Sequence, residues 1–528
     1  MSAGGRTIIR NGLVFDPQKR RFHKDDVFIE GNTIRDVAPG IMTDAAVIDV
    51  RGMVVAPGFI DVHGHSDAMP VVDCNGGSKL MDGVTTEIAG NCGFSLFPDR
   101  EEHGPGKRVC PFTGGHYDLG ASRFDDYLRR IDRQGMPLNM GFLIGHGKLR
   151  EMVAGRANRL LDAAEIDRMR GLLDEHLAMG GLGLSLGLAY PPGCFAAVAE
   201  ICPLAEAVKT RGGVVAAHIR SEGAGLVEAL REFISVGERT GCRLQVSHLK
   251  AMWPKNWNKL VPVLEYLRER KAAGIDLTAD RYPYTAASTN LDHLVPPAWY
   301  EGGTPAELAR LADPGLRGEL ENYIIGTYGE DVFDRVNVVN LPHKPEWQKL
   351  EGMRVSAIAG NLGLSPFDAF VELNIGAKLE ASAVYHAMSD DDLGTILKES
   401  FVCPGSDASY RSTKGVSAQG VPHPRVFGTF ARYLGKYVRE DNVLPLEEAL
   451  YRVTLFPAER FNLKDRGRIA RGFKADITIF DPDTIIDRAT YMEPFQYSEG
   501  VAYVLVNGKF AVAEGKLTGA RAGMVVRG

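Results

Sequence analysis

The sequence predicts an α/β protein: a TIM-like (β/α)8 barrel carrying a small β-domain assembled from both chain ends. Three observations predict it. From about residue 58, short apolar runs alternate with amphipathic stretches, the cadence of βα units around a parallel sheet. With PGFIDVHGH counted as the first, the runs number close to eight, which favours a closed barrel over an open sheet. The first 57 and last ~60 residues share a different texture of short strands and tight turns.

The terminal runs are TIIRNGLVFD (7–16), DVFIEGNTIRDVA (26–38) and AAVIDVRGMVVAP (45–57), then ADITIFDPDT (475–484) and VAYVLVNGKFAVAEGKLT (501–518). Val and Ile punctuated by Asn-Gly mark strands and turns. Chain ends often lie close together, so one joint domain of 1–57 plus 466–528 is expected rather than two separate appendages. The barrel is expected over 58–465. Its strand-like runs after PGFIDVHGH are GVTTEIAGNCG (83–93), MGFLIGHG (140–147), GGLGLSLGLAYPPG (180–193), GGVVAAHIRSEG (212–223), CRLQVSHLK (242–250), GIDLTADRYPYTAAST (274–289), ASAVYHAM (381–388) and FVCPGSDAS (401–409). Between them, FDDYLRRIDRQG (124–135), AAEIDRMRGLLDEHLAMG (163–180), VEALREFISVGERTG (227–241) and NKLVPVLEYLRERKAAG (258–274) read as amphipathic helices. Residues 290–345 hold six prolines and break the cadence. An insertion or lid near 286–345 and a plain long connection both fit.

Composition narrows the function. The chain has 528 residues, 45% hydrophobic and 24% charged, enough for a large core without disulfide staples. A net charge of -6 argues against a cationic nucleic-acid binder. No G-x-G-x-x-G follows an early strand and no Walker-type GK[ST] occurs, which weakens dinucleotide and P-loop readings. The seven cysteines (74, 92, 110, 194, 202, 242 and 403) are odd in number and lack CxxC spacing, so a reducing, cytoplasmic setting is expected. The N-terminus lacks an apolar signal region, and no apolar run approaches the length of a membrane span.

Polar residues at strand C-termini point into a barrel's mouth, where chemistry occurs. His63 and His65, two apart after an apolar strand, can reach one ion. Cys92 ends the next strand between Gly90 and Gly93; alone it would read as a small buried hydrophobe, but beside a histidine pair thiolate ligation becomes credible. His218 and His248 end successive strands one βα period apart, and Asp407 ends the last strand unless it caps the next helix. Such a set suits Zn²⁺, and Fe²⁺, Co²⁺ or Ni²⁺ nearly as well.

At these residues the sequence resembles the amidohydrolase superfamily, and within it the D-aminoacylases (N-acyl-D-amino-acid deacylases). The motifs run in order: PGFIDVHGHSD, GVTTEIAGNCGFSLFP, GHGKLRE, GLSLGLAYPPG, AHIRSEG, SHLKAM, YPYTAAST, GSDAS, HPRVFGTFARYLGKYVRE and PAERFNLKDRGRIARGFKADITIFDPD. The resemblance implies a barrel with a β-sandwich built from both termini and a mobile lid after YPYTA. It implies one tight zinc on Cys92, His218 and His248, and a weaker second position on His63, His65 and Asp407 with Cys92 able to bridge. Lys148 is the rival for a carbamylated lysine. Substrate contacts are implied at Lys250, Tyr282 and Arg425, with Tyr284 an alternative to Tyr282 and Tyr190 lining the pocket. Asp407 is implied as general base and acid.

The expected activity is hydrolysis of N-acyl-D-amino acids to a carboxylate and a free D-amino acid. A hydantoinase-like cyclic-amide hydrolase and a non-catalytic barrel are the alternatives. The stretch ASYRSTKGVSAQGVP after Asp407 departs from the family's Gly-Leu-Pro-like turn, which leaves the side-chain preference open.

Overall fold

A computed structural model describes residues 5–99, 107–109 and 116–527. Cys110 lies outside them. Eight parallel strands form the centre: β1 (Phe59–Asp61), β2 (Val84–Ala89), β3 (Asn139–Gly145), β4 (Gly183–Gly187), β5 (Val214–His218), β6 (Arg243–Val246), β7 (Leu277–Arg281) and β8 (Val402–Pro404). They lie side by side in sequence order. The ring closes just beyond β1 and β8: Gly64 bridges Ala408 in parallel, and the Asp407 N–H donates to His63 O at 2.7 Å. Almost every strand residue is buried, as expected where helices cover the outside and side chains fill the inside.

The helices follow their sequence signals. Phe124–Gln134 and Leu260–Ala272 pack Leu128, Ile131, Val263 and Leu264 inward. Ala163–Ala178 opens on a capping box, in which Asp162 Oδ1 accepts from the Glu165 N–H at 2.9 Å and Glu165 Oε2 from the Asp162 N–H at 3.1 Å. Leu226–Thr240 stops at Gly241, whose φ of 64° is left-handed and favours glycine.

The two chain ends join. Val54–Pro57 pairs antiparallel with Ile477–Phe480, in a seven-stranded sheet that also holds Leu13–Asp16 and Val501–Val506. A four-stranded sheet of Thr33–Ala38, Asp26–Glu30, Arg6–Arg10 and Ala46–Asp49 lies against it. Ile9, Val27 and Ile29 from one sheet and Val55, Ile477, Ile479 and Leu505 from the other share a core.

The run ASAVYHAM is not a barrel strand. Ser382–Tyr385 is the middle strand of a separate antiparallel sheet, between Ala287–Asn290 and Val336–Asn340. Helices Gly303–Ala312, Pro314–Tyr328, Val355–Leu362 and Pro366–Gly376 accompany it, with a core of their own around Leu294, Ile324, Phe333, Phe370 and Tyr385. A short apolar run buried on both faces reads alike in a parallel barrel and in the centre of a small covered sheet. Among the described residues, no helix is long and apolar enough to cross a membrane.

Candidate metal centre at the barrel mouth

All six expected ligands lie at the C-terminal end of the barrel, and all are buried. His63 Nε2 stands 3.2 Å from Cys92 Sγ and 3.4 Å from Asp407 Oδ1. His65 Nε2 lies 3.0 Å from Asp407 Oδ1, and Cys92 Sγ lies 3.5 Å from His248 Nε2. Donor atoms of His63, Cys92, His248 and Asp407 fall within 4.8 Å of one another. So do those of His218, Glu222 and His248. The His218 and His248 rings are 4.5 Å apart.

The backbone is bent to deliver these groups. Cys92, His248 and Asp407 have φ of 54°, 36° and 51°, a region that non-glycine residues adopt at a cost. Three strained residues among six candidate ligands mark a site that the surrounding fold over-determines. Gly90 lets the Cys92 turn form, since a Cβ there would collide with Leu143 O of β3.

Electrostatics favour the ligating forms of Cys92 and Asp407. Burial pushes the Cys92 thiol up, but His63 and His248 overcome it and hold the thiol well below its usual range. Burial likewise raises Asp407, and Arg425, His248 and His63 outweigh it, so the carboxylate stays ionised. The Arg425 guanidinium sits 2.8 Å from Asp407 Oδ2. Both ring nitrogens of His218 are buried without a hydrogen-bond partner, a costly arrangement unless an ion takes a lone pair. Imidazole, thiolate and carboxylate donors, with orphaned imidazole nitrogens among them, fit zinc.

The expected substrate side chains line the same cavity of about 300 Å³. Lys250 Nζ lies 5.7 Å and Arg425 Cζ 4.6 Å from the centre of the Tyr282 ring. The Tyr282 hydroxyl is buried without a partner. Tyr284 instead donates to Asp487 Oδ2 at 3.1 Å and does not line the cavity. Tyr190 packs against His218, ring centres 4.7 Å apart, and its hydroxyl meets Thr289 Oγ1 at 3.0 Å. Lys148 is bound to Glu151 and Asp99 at 3.0 and 3.3 Å, outside the cavity lining.

Two acids were missed. Asp280, at the end of β7, accepts from His63 Nδ1 and from the His248 N–H, both at 2.8 Å, and fixes the tautomer of one ligand and the backbone of another. Glu222 binds Lys250 Nζ at 2.5 Å and His248 Nδ1 at 2.8 Å. Burial raises Glu222, and Lys250 with His218 and His248 pulls it well below the usual carboxylate range. Asp280 was open to the strand-end rule that found Asp407. Glu222 follows its strand by a loop and carries no such signal.

An eight-stranded parallel barrel with this donor set at its mouth defines a metal-dependent amidohydrolase. The amidohydrolase family model matches residues 46–314 and 354–512. An N-acyl-D-glutamate deacylase of Alcaligenes xylosoxydans xylosoxydans is 34% identical over 95% of this chain and 92% of its own. The crystal structure of N-acyl-D-glutamate deacylase from Bordetella bronchiseptica, complexed with zinc and a phosphonate mimic of the tetrahedral intermediate, superposes with a TM-score of 0.83 at 31% identity over 99% of both chains. A D-aminoacylase structure with a binuclear metal centre, described by one-metal activation and second-metal attenuation, matches equally: TM-score 0.83, 31% identity, 99% of both chains. The chain belongs to the D-aminoacylase (N-acyl-D-amino-acid deacylase) family of the amidohydrolase superfamily.

Proposed function

We propose that the protein hydrolyses the amide bond of N-acyl-D-amino acids in a zinc-dependent reaction, releasing a carboxylate and a free D-amino acid. The observation that carries this is the grouping of Lys250, Arg425 and the unpartnered Tyr282 hydroxyl in one cavity with the metal-type donors. Two cations and a hydroxyl suit an α-carboxylate, and arginine can hold it through two parallel bonds. Cys92, His218 and His248 would hold the tight zinc, and His63, His65 and Asp407, with Cys92 bridging, a weaker one. Zinc in such a site supplies Lewis acidity and an acidified water at neutral pH.

The chain's own residues do the rest. Asp407, kept ionised by Arg425, takes the proton of the attacking water at a carboxylate oxygen and returns it to the departing amine nitrogen. Lys250, Tyr282 and Arg425 fix the α-carboxylate, so only one enantiomer presents its acyl carbonyl to the attack. Tyr190 covers the His218 side of the cavity. In this reading the segment near 286–345 is a lid over a barrel of residues 58–465, and residues 1–57 with 466–528 form the joint terminal unit. A cyclic-amide hydrolase reading calls for a bridging lysine, and Lys148 is tied to Asp99 and Glu151 instead.

The test is a panel of N-acetyl and N-formyl amino acids in both enantiomers, scored for free amine. Release from the D forms is expected; release from the L forms alone overturns the reading.

A further inference from the structure

The mechanism leaves one buried arginine beside the site unused. Side chains alternate along β7, and Asp280 turns inward to His63 and His248. Arg281, the next residue, leaves on the other face and does not line the cavity. It is 1% exposed. Nη2 donates to Tyr284 O at 2.8 Å and to Met388 Sδ at 3.1 Å, which anchors one end of the guanidinium. Nε and Nη1 are buried without a hydrogen-bond partner. Among the described residues no carboxylate forms an ion pair with Arg281, and Asp392 feels its charge only from farther off. Other buried arginines are paired: Arg425 with Asp407, Arg452 with Glu448 and Arg466 with Asp476. A buried cation without a counter-ion is destabilising, so its presence calls for a reason other than packing.

The neighbouring ring supplies one. The Arg281 guanidinium lies over Tyr282, with Cζ 4.3 Å from the ring centre, closer than Arg425 at 4.6 Å or Lys250 at 5.7 Å. A cation over an aromatic face is held there by the ring's own charge distribution. The Tyr282 hydroxyl belongs to the cavity wall and has no partner. Burial pushes this hydroxyl up, and Lys250, Arg281 and Arg425 outweigh it and hold it below the usual tyrosine value. In a dry interior the charge of Arg281 also adds to the attraction that an anion beside the ring experiences.

We propose that Arg281 is a positioning residue: it seats the Tyr282 ring and strengthens the hold of its hydroxyl on the substrate's α-carboxylate. The proposal rests on the deacylase reading above and concerns how that substrate is anchored. Arg281 touches no substrate atom and acts through Tyr282. Its charge is therefore expected to lower stability and to raise affinity.

The test uses the best D substrate of the N-acyl panel and its carboxamide, which keeps the shape and lacks the charge. Both are assayed for kcat and KM with the native enzyme, Arg281→Met, Arg281→Lys, Tyr282→Phe and the double variant Arg281→Met/Tyr282→Phe, with zinc content and melting temperature recorded. Arg281→Met should raise KM for the acid about five- to tenfold, with kcat within a few-fold and KM for the amide within about twofold. Arg281→Lys should lie between the native enzyme and Arg281→Met. In the Tyr282→Phe background the effect of Arg281→Met should shrink to less than about twofold. The melting temperature of Arg281→Met should match or exceed the native value, because methionine fills the space without an unpaired charge. Should Arg281→Met fail to fold, the acid-against-amide split in Arg281→Lys decides. An unchanged KM for the acid in the folded variants, an equal rise for acid and amide, or a full effect without the Tyr282 hydroxyl overturns the role of Arg281 and leaves the deacylase reading standing. Absence of amine from every D compound with the native enzyme overturns the deacylase reading and this role with it.

Discussion

Cys92 is buried, and an isolated buried thiol would stay protonated and inert. His63 and His248 reverse that, which makes the sulfur a metal-type donor on a residue held at a left-handed φ of 54°. Cys92→Ala is expected to lower zinc per chain at least about tenfold, measured by plasma emission after dialysis. Asp407→Asn should keep the tight zinc while kcat falls by about 10²–10⁴-fold, the usual worth of a positioned acid–base group. Tyr282→Phe should raise KM by about tenfold and leave kcat within a few-fold. Residue-scale legibility followed strand ends: His63, His65, Cys92, His218, His248 and Asp407 were readable because each terminates a recognisable apolar run. Glu222 was not, because it reaches the site from a loop, and loop direction is a tertiary fact.

Between elements, Lys79 ties the start of the barrel to its end. Its buried ammonium contacts Asp61 at the end of β1, Ser406 Oγ after β8 at 2.5 Å, and Glu87 of β2 at 3.7 Å. Lys79→Met leaves two buried acids without their cation and should cost about 3–5 kcal/mol, read from urea unfolding. The stretch that holds Asp292 and Glu307 carries a pH-sensitive pair. Burial raises Asp292 to about 7 and Glu307 to about 8, and the charge of Asp292 adds to the latter. Both folded values lie above the unfolded range near 4. Their stabilisation is therefore complete below about pH 4 and is lost as pH climbs through 7 to 8. Hydrogen exchange over 291–312, corrected for intrinsic rate, should be faster at pH 9 than at pH 6, and Glu307→Gln should remove most of that difference. The antiparallel sheet beside this segment was the least legible element. Ser382–Tyr385 has the composition of a barrel strand, and only its antiparallel partners, Ala287–Asn290 and Val336–Asn340, reveal its place.

For the whole molecule, the terminal unit is fastened to the base of the barrel through Asp476. That carboxylate binds Arg466, accepts from Asn139 Nδ2 of β3 at 3.0 Å and takes the Asn507 N–H at 2.7 Å. Asp476→Ala strands the buried Arg466 guanidinium and should cost about 3–5 kcal/mol, visible as a lower melting temperature. The joint unit was legible because both ends repeat one strand-and-turn texture; the cross-chain pairing of Val54–Pro57 with Ile477–Phe480 was beyond any local signal.

That pairing has a consequence for biosynthesis. Val55 leaves the ribosome roughly 420 residues ahead of Ile479, its partner. At ~5–20 residues per second, the edge of Val54–Pro57 waits on the order of 20–80 s for its neighbour, long after the first barrel strands have emerged. During that interval an apolar, hydrogen-bond-hungry strand lies open to other nascent chains. Yield of native enzyme should therefore depend on translation speed and on chaperones that shield this edge until the last sixty residues arrive.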